Sequence, residues 1–405
     1  MMPAPDQTGA SPREISLYVH IPYCHYKCRY CSFYSLRGEG PDYDAYLDAL
    51  AVEWRLVRDE ECLDDPAVRV ASVYIGGGTP SVLGSERLRR LHRILRDGPA
   101  WGEPCEVTLE VNPESVTEEL IGGALAAGYN RVNVGAQSFR DDDLALLGRE
   151  SSGERVRRAI ADTRAAGCVN LGIDLVFGLP GMDPEKWRAS LREALRFAPE
   201  HLSCYLLAPE EETILHQLLH AGRLEPPIDE AAFLQYEAAR LAAGQAGYEH
   251  YEISNFCKPG FRCRHHLDIW QRRPYYGLGP SAHSYTGDAR WCTTADIHDY
   301  LARLREGPLR PARQRRRLEA ADHRREAILL GLRQARGLTW DEIAAVVEAE
   351  ATAHVERRAR FLAGTGFIEI DEQGLRLAPR AFFVAHHVFV ELLEAAEKAT
   401  AGRGE

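Results

Sequence analysis

The feature that most constrains the fold is an alternation of short apolar or β-branched runs with longer segments of helical periodicity, from Ile15 to about residue 206. The runs are ISLYVHI (15–21), VASVYIG (70–76), CEVTLEV (105–111), RVNVGA (131–136), VNLGIDLVF (169–177) and HLSCYLL (201–207). Segments 43–57, 85–95 and 185–195 between them have a helical pattern. Strands joined by helical crossovers predict an α/β fold with a parallel sheet covered by helices. Periodicity leaves open whether that sheet is doubly wound or a curved partial barrel.

Polar residues with chemical character follow these strands at their carboxyl ends. In chain order they are a cysteine cluster, GGGTP (76–80), Glu110 with NP (112–113), Gln137, Asp174 and APE (208–210). Parallel α/β folds gather their loops and helix N-termini at that edge of the sheet. The sequence therefore predicts one functional site there.

Composition narrows the function classes. The chain has 405 residues, a net charge of −11 and ten cysteines. The acidic balance argues against a general affinity for nucleic acid. Neither an apolar run of membrane-spanning length nor a signal peptide is recognisable, so we expect no transmembrane segment and a cytoplasmic protein. In that reducing compartment the cysteines are expected to be ligands or core residues rather than disulfides.

Three of the cysteines carry the strongest chemical signal. Cys24, Cys28 and Cys31 are spaced C-x3-C-x2-C in a loop directly after the first strand. Such thiolates suit an iron–sulfur cluster or a zinc ion whose fourth ligand is His20 or His25. The spacing favours the cluster and leaves zinc open. Three protein ligands also leave one coordination position free for chemistry.

The cysteine motif, followed by an aromatic residue after the first strand of a βα array, resembles that of the radical S-adenosylmethionine (SAM) superfamily. The resemblance implies that Cys24, Cys28 and Cys31 hold a four-iron, four-sulfur (4Fe-4S) cluster. It further implies that SAM chelates the fourth iron and that one electron, from a donor such as flavodoxin or ferredoxin, cleaves SAM to a 5′-deoxyadenosyl radical.

Further motifs resemble those of one group within the superfamily, the oxygen-independent coproporphyrinogen III oxidases. The motifs LYVHIPYCHYKCRYC, YIGGGTPS, EVTLEVNPES, GAQSF, LGR, IDLVFGLPG and GLGPSAHSY occur in that group's order between residue 17 and about residue 285. The resemblance implies a partial (β/α)6 radical-SAM barrel, and so chooses between the two sheet shapes. The expected SAM-binding positions are Tyr18, Gly77, Gly78, Thr79, Glu110, Gln137, Arg149 and Asp174, with Ala208 and His283 near the adenine or second-ligand region. Glycines suit close backbone approach, acids suit a ribose diol or an amino group, and arginine suits a carboxylate.

The chain beyond residue 226 has a different character. Residues 229–246 predict a helix, and the following segments are rich in aromatic residues, His and Gly. After the basic stretch RPARQRRR (310–317), three helical segments, a hairpin and a closing helix predict a smaller α+β, winged-helix-like domain. We therefore expect a disordered lead (1–14), the radical SAM core barrel (15–225), an extension of it (226–305), and a linker with the C-terminal domain (306–405).

One departure from the oxidase group, and one from the motif of its sister branch, bear on function. The decarboxylating enzymes carry a fourth cysteine where this chain has Phe33. That difference favours the sister branch of haem chaperones, HemW, whose H-N-x-x-Y-W motif is implicated in haem handling. Here the segment reads HHLDIW (265–270), in which the first His and the Trp match that motif while His replaces Asn and Ile replaces Tyr. His265 is the expected haem ligand.

Two interpretations of function follow from these departures. The first is a haem chaperone that binds haem and SAM and delivers haem to an acceptor protein. The alternative is a radical SAM enzyme, either a coproporphyrinogen III dehydrogenase-like oxidoreductase or another porphyrin-modifying or methyl-transferring enzyme. A separate metal site at Cys257, Cys263, His265 and His266 is also conceivable, although buried core cysteines are the favoured interpretation.

Overall fold

The computed structural model describes residues 12–37, 42–306 and 315–401. Most of the predicted lead and of the basic stretch 310–317 lies outside the described residues. The strands up to residue 206 are β1 (Arg13–Ile21), β2 (Tyr23–Cys24), β3 (Leu36–Arg37), β4 (Val68–Gly77), β5 (Ala100–Val111), β6 (Arg131–Gln137), β7 (Leu171–Phe177) and β8 (His201–Leu206). The helices up to residue 220 are α1 (Tyr43–Glu61), α2 (Gly84–Arg96), α3 (Glu118–Ala127), α4 (Asp141–Leu146), α5 (Gly153–Ala165), α6 (Pro184–Arg196) and α7 (Ile214–His220).

The remaining elements extend this core and then build a second domain. The extension contains α8 (Asp229–Gln245), β9 (Glu249–Glu252), β10 (Asn255–Cys257), α9 (Arg264–Trp270), β11 (Tyr275–Leu278), β12 (His283–Tyr285), β13 (Ala289–Cys292) and α10 (Ile297–Glu306). The elements after the undescribed gap are β14 (Arg316–Arg317), α11 (Ala320–Gly331), β15 (Leu338–Thr339), α12 (Trp340–Ala344), α13 (Ala349–Gly364), β16 (Ile368–Ile370), β17 (Gly374–Leu377) and α14 (Ala385–Ala401).

One twelve-stranded sheet organises the larger domain. Its order is β14-β13-β12-β11-β1-β4-β5-β6-β7-β8-β10-β9. The six neighbouring strands in the middle pair in parallel, and they are β1, β4, β5, β6, β7 and β8. Helices connect these six strands, as is usual between parallel neighbours. Tyr18 of β1 and Tyr205 of β8 line one cavity although four strands separate β1 from β8, so the sheet is curved around a lumen. The predicted partial barrel is confirmed.

Alternation along β1 and β4 shows how the sequence builds this lumen. Leu17, Val19 and Ile21 are fully buried on the face that packs against helices, in the same core as Trp54 of α1. The intervening positions turn inward, because side chains alternate between the two faces of a strand. The register pairs Ser16 with Ser72 and Tyr18 with Tyr74, so polar and aromatic side chains line the inside.

The segment beyond residue 250 forms structure that the sequence analysis did not assign. Strand β11 pairs in parallel with β1, and β10 pairs antiparallel with β8, so the extension adds strands to both sides of the six-stranded core. Helix α9, which lies between β10 and β11 in the sequence, packs against β4. The HHLDIW segment is therefore a short helix on the barrel wall.

The C-terminal domain has the predicted composition of helices and a small sheet. Helices α11, α12 and α13 precede the hairpin of β16 and β17, and β15 completes a sheet of order β15-β17-β16. Thr339 and Glu342 form a reciprocal capping box at the start of α12. Among the described residues, no helix combines the length and apolar character needed to cross a membrane.

Candidate functional site

A cavity of about 530 Å³ opens at the carboxyl ends of the barrel strands. Such a volume is within the range of ligand-binding pockets. The structure brings thirteen of the fourteen site residues of the sequence analysis to its wall, namely Tyr18, Cys24, Cys28, Cys31, Gly77, Gly78, Thr79, Glu110, Gln137, Arg149, Asp174, Ala208 and His265. His283, in contrast, lies exposed on β12 and is not part of the lining.

The cysteine loop is held from two sides by backbone hydrogen bonds. The Arg29 amide donates to the Leu147 carbonyl at 2.9 Å, and the Arg29 carbonyl accepts from the Leu215 amide at 2.8 Å. Leu147 belongs to the LGR segment, which the sequence analysis connected with SAM, and Leu215 lies on α7. The loop that carries the thiols is thus fixed by segments that follow two later strands.

Hydrogen-bond donors approach the thiols from the cavity wall. The Thr79 hydroxyl donates to Cys24 Sγ at 3.4 Å, and the Arg149 guanidinium lies 3.9 Å from Cys28 Sγ. Burial raises the pKa of the Cys28 thiol, and the charge of Arg149 opposes that rise. A cation beside a buried thiol favours the thiolate, which is the form that binds iron.

Glycines let the backbone approach both the cysteine loop and the lumen. A Cβ on Gly78 would lie 2.6 Å from the Tyr23 carbonyl oxygen and 3.0 Å from Cys24 Sγ. Gly77 has a φ of +105°, a conformation that residues with a side chain rarely adopt. A Cβ on Gly76 would lie 2.7 Å from Glu110 Oε2. A side chain is therefore disfavoured at each of the three consecutive glycines for a different reason: contact with Glu110 at Gly76, the positive φ at Gly77, and contact with the cysteine loop at Gly78.

Two half-buried acids of the cavity, Glu110 and Asp174, have raised pKa values. Burial raises the pKa of Glu110 to about 7, the nearby Asp174 carboxylate adds to the rise, and the 2.6 Å hydrogen bond from the Tyr74 hydroxyl opposes it. Burial likewise raises the pKa of Asp174 to about 6, against hydrogen bonds from Ser203 and Asn133. Near neutral pH Glu110 is therefore poised to gain charge when a ligand supplies a cation or hydroxyl donors.

The helix α9 contributes two histidines to the same cavity. His265 is 2% exposed, and its ring stacks on Tyr74 at 5.0 Å between centroids. Within the described part of the chain, neither Nε2 of His265 nor Nδ1 of His266 has a hydrogen-bond partner. Burial lowers the pKa of both histidines to about 3, so both rings are neutral at neutral pH. A neutral imidazole with a free nitrogen is the form that binds a metal.

A zinc site is not formed by the residues that the sequence analysis considered. Over the described ranges, no three or more His, Cys, Asp or Glu side chains are arranged to hold one metal ion. Both ring nitrogens of His20 are already engaged, with the Tyr18 hydroxyl and the Tyr34 carbonyl. Cys257 and Cys263 are buried core residues, as the favoured interpretation held.

The same residues do fit a 4Fe-4S cluster with SAM. Each thiolate of such a cluster binds a different iron, so the thiols need not converge on one ion. The three sulfurs share the cavity with a guanidinium, a glycine cradle and two acids, which suit the carboxylate, amino and ribose groups of SAM.

Sequence analysis placed Asn112 at the strand edge without giving it a role, and it missed Tyr74, Asn133 and Tyr205, which also shape the site. Asn112 donates to Thr79 Oγ1 at 3.1 Å and accepts from Arg149 at 3.5 Å, and so joins two site residues. Tyr74, Asn133 and Tyr205 line the lumen from three strands. Their alternation with apolar residues along those strands was the available signal.

Comparisons with known proteins agree with this geometry. The profile of the Radical SAM superfamily matches residues 18–194, and that of the HemN C-terminal domain matches residues 318–384. Among solved structures, coproporphyrinogen III oxidase (HemN) from Escherichia coli, described as a radical SAM enzyme, is similar with a TM-score of 0.80 and 22% identity. The similarity covers 96% of this chain and 91% of HemN, and it establishes the fold.

Curated relatives are closer in sequence. The chain is 30% identical to the haem chaperone HemW of Bacillus subtilis over 378 residues, 92% of this chain and 98% of the relative. It is 35% identical to the haem chaperone HemW of Mycobacterium tuberculosis over 342 residues, 83% of this chain and 86% of the relative. With its radical SAM core and HemN-type C-terminal domain, the chain therefore belongs to the HemW family of radical SAM proteins.

Proposed function

We propose that this protein is a cytoplasmic haem chaperone that binds a 4Fe-4S cluster, SAM and haem, and delivers the haem to an acceptor protein. The observation that carries the proposal is that three thiols and His265 line one cavity. The imidazole of His265 is neutral, and its Nε2 has no hydrogen-bond partner among the described residues. Membership of a family whose curated relatives are named haem chaperones supports it.

Each group of residues has a distinct role in this proposal. Cys24, Cys28 and Cys31 hold the cluster, which when bound supplies an electron for the cleavage of SAM. Gly77, Gly78 and Thr79 hold the methionine end of SAM, and Arg149 lies near the cluster, beside Cys28. Glu110, Gln137 and Asp174, with Tyr18 and Ala208, complete the SAM site. An electron donor such as flavodoxin or ferredoxin is the expected redox partner.

The proposed haem site extends from His265 in the lumen to the opening of the same cavity. Phe33, Tyr205 and Leu206 line the cavity and are nevertheless exposed, with Phe33 at 64%. A flat apolar macrocycle would cover such side chains and gain their hydrophobic burial. His265 Nε2 would bind the iron. Phe33 stands where the decarboxylating enzymes have their fourth cysteine, so this rim offers an apolar surface in place of a thiol.

Haem titration of the full chain tests the proposal. After anaerobic reconstitution with iron and sulfide, the wild type is expected to bind one haem with a shifted Soret band and to transfer it to apomyoglobin. His265→Ala should lose most of that affinity. His283→Ala is the matched control, because its imidazole is exposed and lies off the cavity wall.

The enzyme alternative predicts different products. Incubation with SAM, dithionite and coproporphyrinogen III should then release 5′-deoxyadenosine in proportion to an oxidised porphyrinogen product. That result, together with failure of the wild type to bind haem, would replace the chaperone proposal by the enzyme interpretation.

The division of the chain into a core barrel (15–225), its extension (226–305) and a linker with the C-terminal domain (306–405) is likewise proposed as its functional organisation.

A further inference from the structure

A chain of buried hydrogen bonds leads away from the inner nitrogen of His265. The Ser72 hydroxyl lies 3.1 Å from His265 Nδ1, the Ser72 and Ser16 hydroxyls are 2.8 Å apart, and Ser16 donates to Asp268 Oδ2 at 2.8 Å. All four residues are at most 3% exposed. These contacts join two barrel strands to α9, and the Ser16–Ser72 pair follows an irregularity in the register of β1 and β4.

The direction of these hydrogen bonds can be deduced from the carboxylate. An ionised carboxylate only accepts, so Ser16 must donate its single hydroxyl proton to Asp268. Ser16 therefore accepts from Ser72, and Ser72 in turn accepts from the N–H of His265 Nδ1. Burial raises the pKa of Asp268, and two cations oppose that rise: Arg273 lies 3.3 Å from Oδ1, and Arg264 lies 3.7 Å from Oδ2.

We infer that Asp268, Ser16 and Ser72 are positioning residues that fix the tautomer and ring orientation of His265, so that Nε2 presents its lone pair to haem iron. Two separate observations agree on this assignment: the hydrogen-bond chain places the proton on Nδ1, and Nε2 is the nitrogen left without a partner among the described residues. Metal-binding histidines commonly have the other ring nitrogen bonded to a carboxylate or carbonyl, which raises ligand basicity. Here Ser72 and Ser16 connect His265 Nδ1 to the carboxylate of Asp268.

This inference rests on the proposed haem-binding function and adds specific residues to it. Asp268 lies three positions after His265, so one turn of α9 carries both the iron ligand and the acid that orients it. The serines are supplied by the barrel, so the ligand is oriented only when α9 is docked on β1 and β4. Folding of the extension and preparation of the iron ligand are thereby coupled.

Ser72→Ala and Asp268→Asn in the full, reconstituted chain test the inference. Ser72→Ala removes the acceptor for Nδ1–H. Asp268→Asn can donate to Ser16, which reverses the chain and moves the imidazole proton to Nε2. Each variant is expected to weaken haem binding about tenfold, the scale typical for partners of metal ligands. Ser190→Ala, which removes a buried serine bonded to Ser138, is the matched control and should bind haem like the wild type.

The decisive measurement is the haem affinity of the same two substitutions made in a His265→Ala background. If the residues act through His265, neither variant should weaken the residual haem binding further. In the ferrous haem complex, resonance Raman spectra should show a lower iron–histidine stretching frequency for Ser72→Ala, because the ligand loses basicity. Equal losses in both backgrounds, or no loss in either, would overturn the inference. If one variant fails to fold by circular dichroism, the other carries the test.

Failure of the inference is distinguishable from failure of the proposed function. A wild type that binds no haem removes the proposed function. A wild type that binds haem through His265, alongside Ser72→Ala and Asp268→Asn proteins with unchanged affinity and spectra, removes only the positioning role.

Discussion

The two ends of the barrel lumen use the same kind of side chain in opposite ways. Glu106 and Glu110 both lie on β5, one turned toward α9 and the other toward the cavity. Glu106 accepts hydrogen bonds from the backbone amides of Arg264 and His265, both at 3.2 Å. Glu110 accepts one from the Tyr74 hydroxyl and faces the cavity, with its pKa raised to about 7 by burial. One acid is satisfied by the fold, and the other is left for a ligand.

The cysteines differ in the same way between these two ends. Cys24, Cys28 and Cys31 line the cavity, whereas Cys263 is fully buried and its thiol lies 3.5 Å from Glu106 Oε1. A residue type therefore does not distinguish structure from function here. What distinguishes them is whether the fold already satisfies the group.

The largest expected effect is on cluster uptake. Substitution of any one of Cys24, Cys28 or Cys31 by Ala should abolish stable binding of about four irons, because each thiolate binds one iron. Iron and sulfide analysis after anaerobic reconstitution measures this. Cys263→Ala is the control and should keep full uptake, while losing about 1–2 kcal/mol of unfolding free energy for its lost packing and hydrogen bond. Normal iron content in Cys28→Ala would contradict the comparison.

The two glutamates should separate ligand binding from stability. Glu110→Gln is expected to weaken SAM binding about 10–100-fold, because a charged acceptor for the ligand is lost at an otherwise unchanged site. Glu106→Gln should leave SAM affinity within about twofold and reduce the unfolding free energy by about 1–3 kcal/mol, the scale for hydrogen bonds to a charged group. Isothermal titration with SAM and urea denaturation measure the two effects. Reversal of this pattern would show that the two acids have exchanged roles.

Much of the fold followed from the sequence because its signals are local. Each of the six predicted strands overlaps an observed one, and the predicted ends at Ile21, Val111 and Phe177 coincide with those observed. Burial of alternate residues and of helix faces is encoded within each segment. The strands of the extension were missed because their pairing partners are distant, as with β11 beside β1.

The site could be anticipated as a set of positions but not as an arrangement. The residues at the strand ends were identified because parallel strands bring their carboxyl ends together. His265 needed the family resemblance, and its partners Ser16 and Ser72 could not be found from sequence. They depend on a register irregularity between β1 and β4, and on a helix almost 200 residues later in the chain.

The raised pKa of Glu110 predicts that the stability of the folded protein depends on pH. The folded state holds the Glu110 proton more tightly than the unfolded chain does, since burial raises the pKa from 4.5 to about 7. The stability contributed by that proton is present at low pH and is lost as the pH rises from about 4.5 through 7. The unfolding free energy of the ligand-free wild type, relative to Glu110→Gln, should therefore fall by about 1 kcal/mol from pH 5 to pH 8, a value discounted for screening by cavity water.

Urea denaturation at the two pH values provides the measurement. Glu106→Gln serves as the control and should follow the wild type, because it leaves the cavity acids in place. A wild type whose stability rose over this range relative to Glu110→Gln would contradict the assigned direction.

The smallest expected effect concerns the rim rather than the lumen. Phe33 is 64% exposed at the cavity and Val169 is 75% exposed away from it, so neither side chain contributes much to the core. Phe33→Ser and Val169→Ser should both leave the unfolding free energy within about 0.5 kcal/mol of the wild type. Only Phe33→Ser should weaken haem binding, by about 0.5–1.5 kcal/mol, because the macrocycle loses an aromatic contact. Equal haem affinity of the two variants in a Soret titration would mean that the exposed Phe33 has no part in holding the porphyrin, and that the iron ligand and the lumen account for its binding.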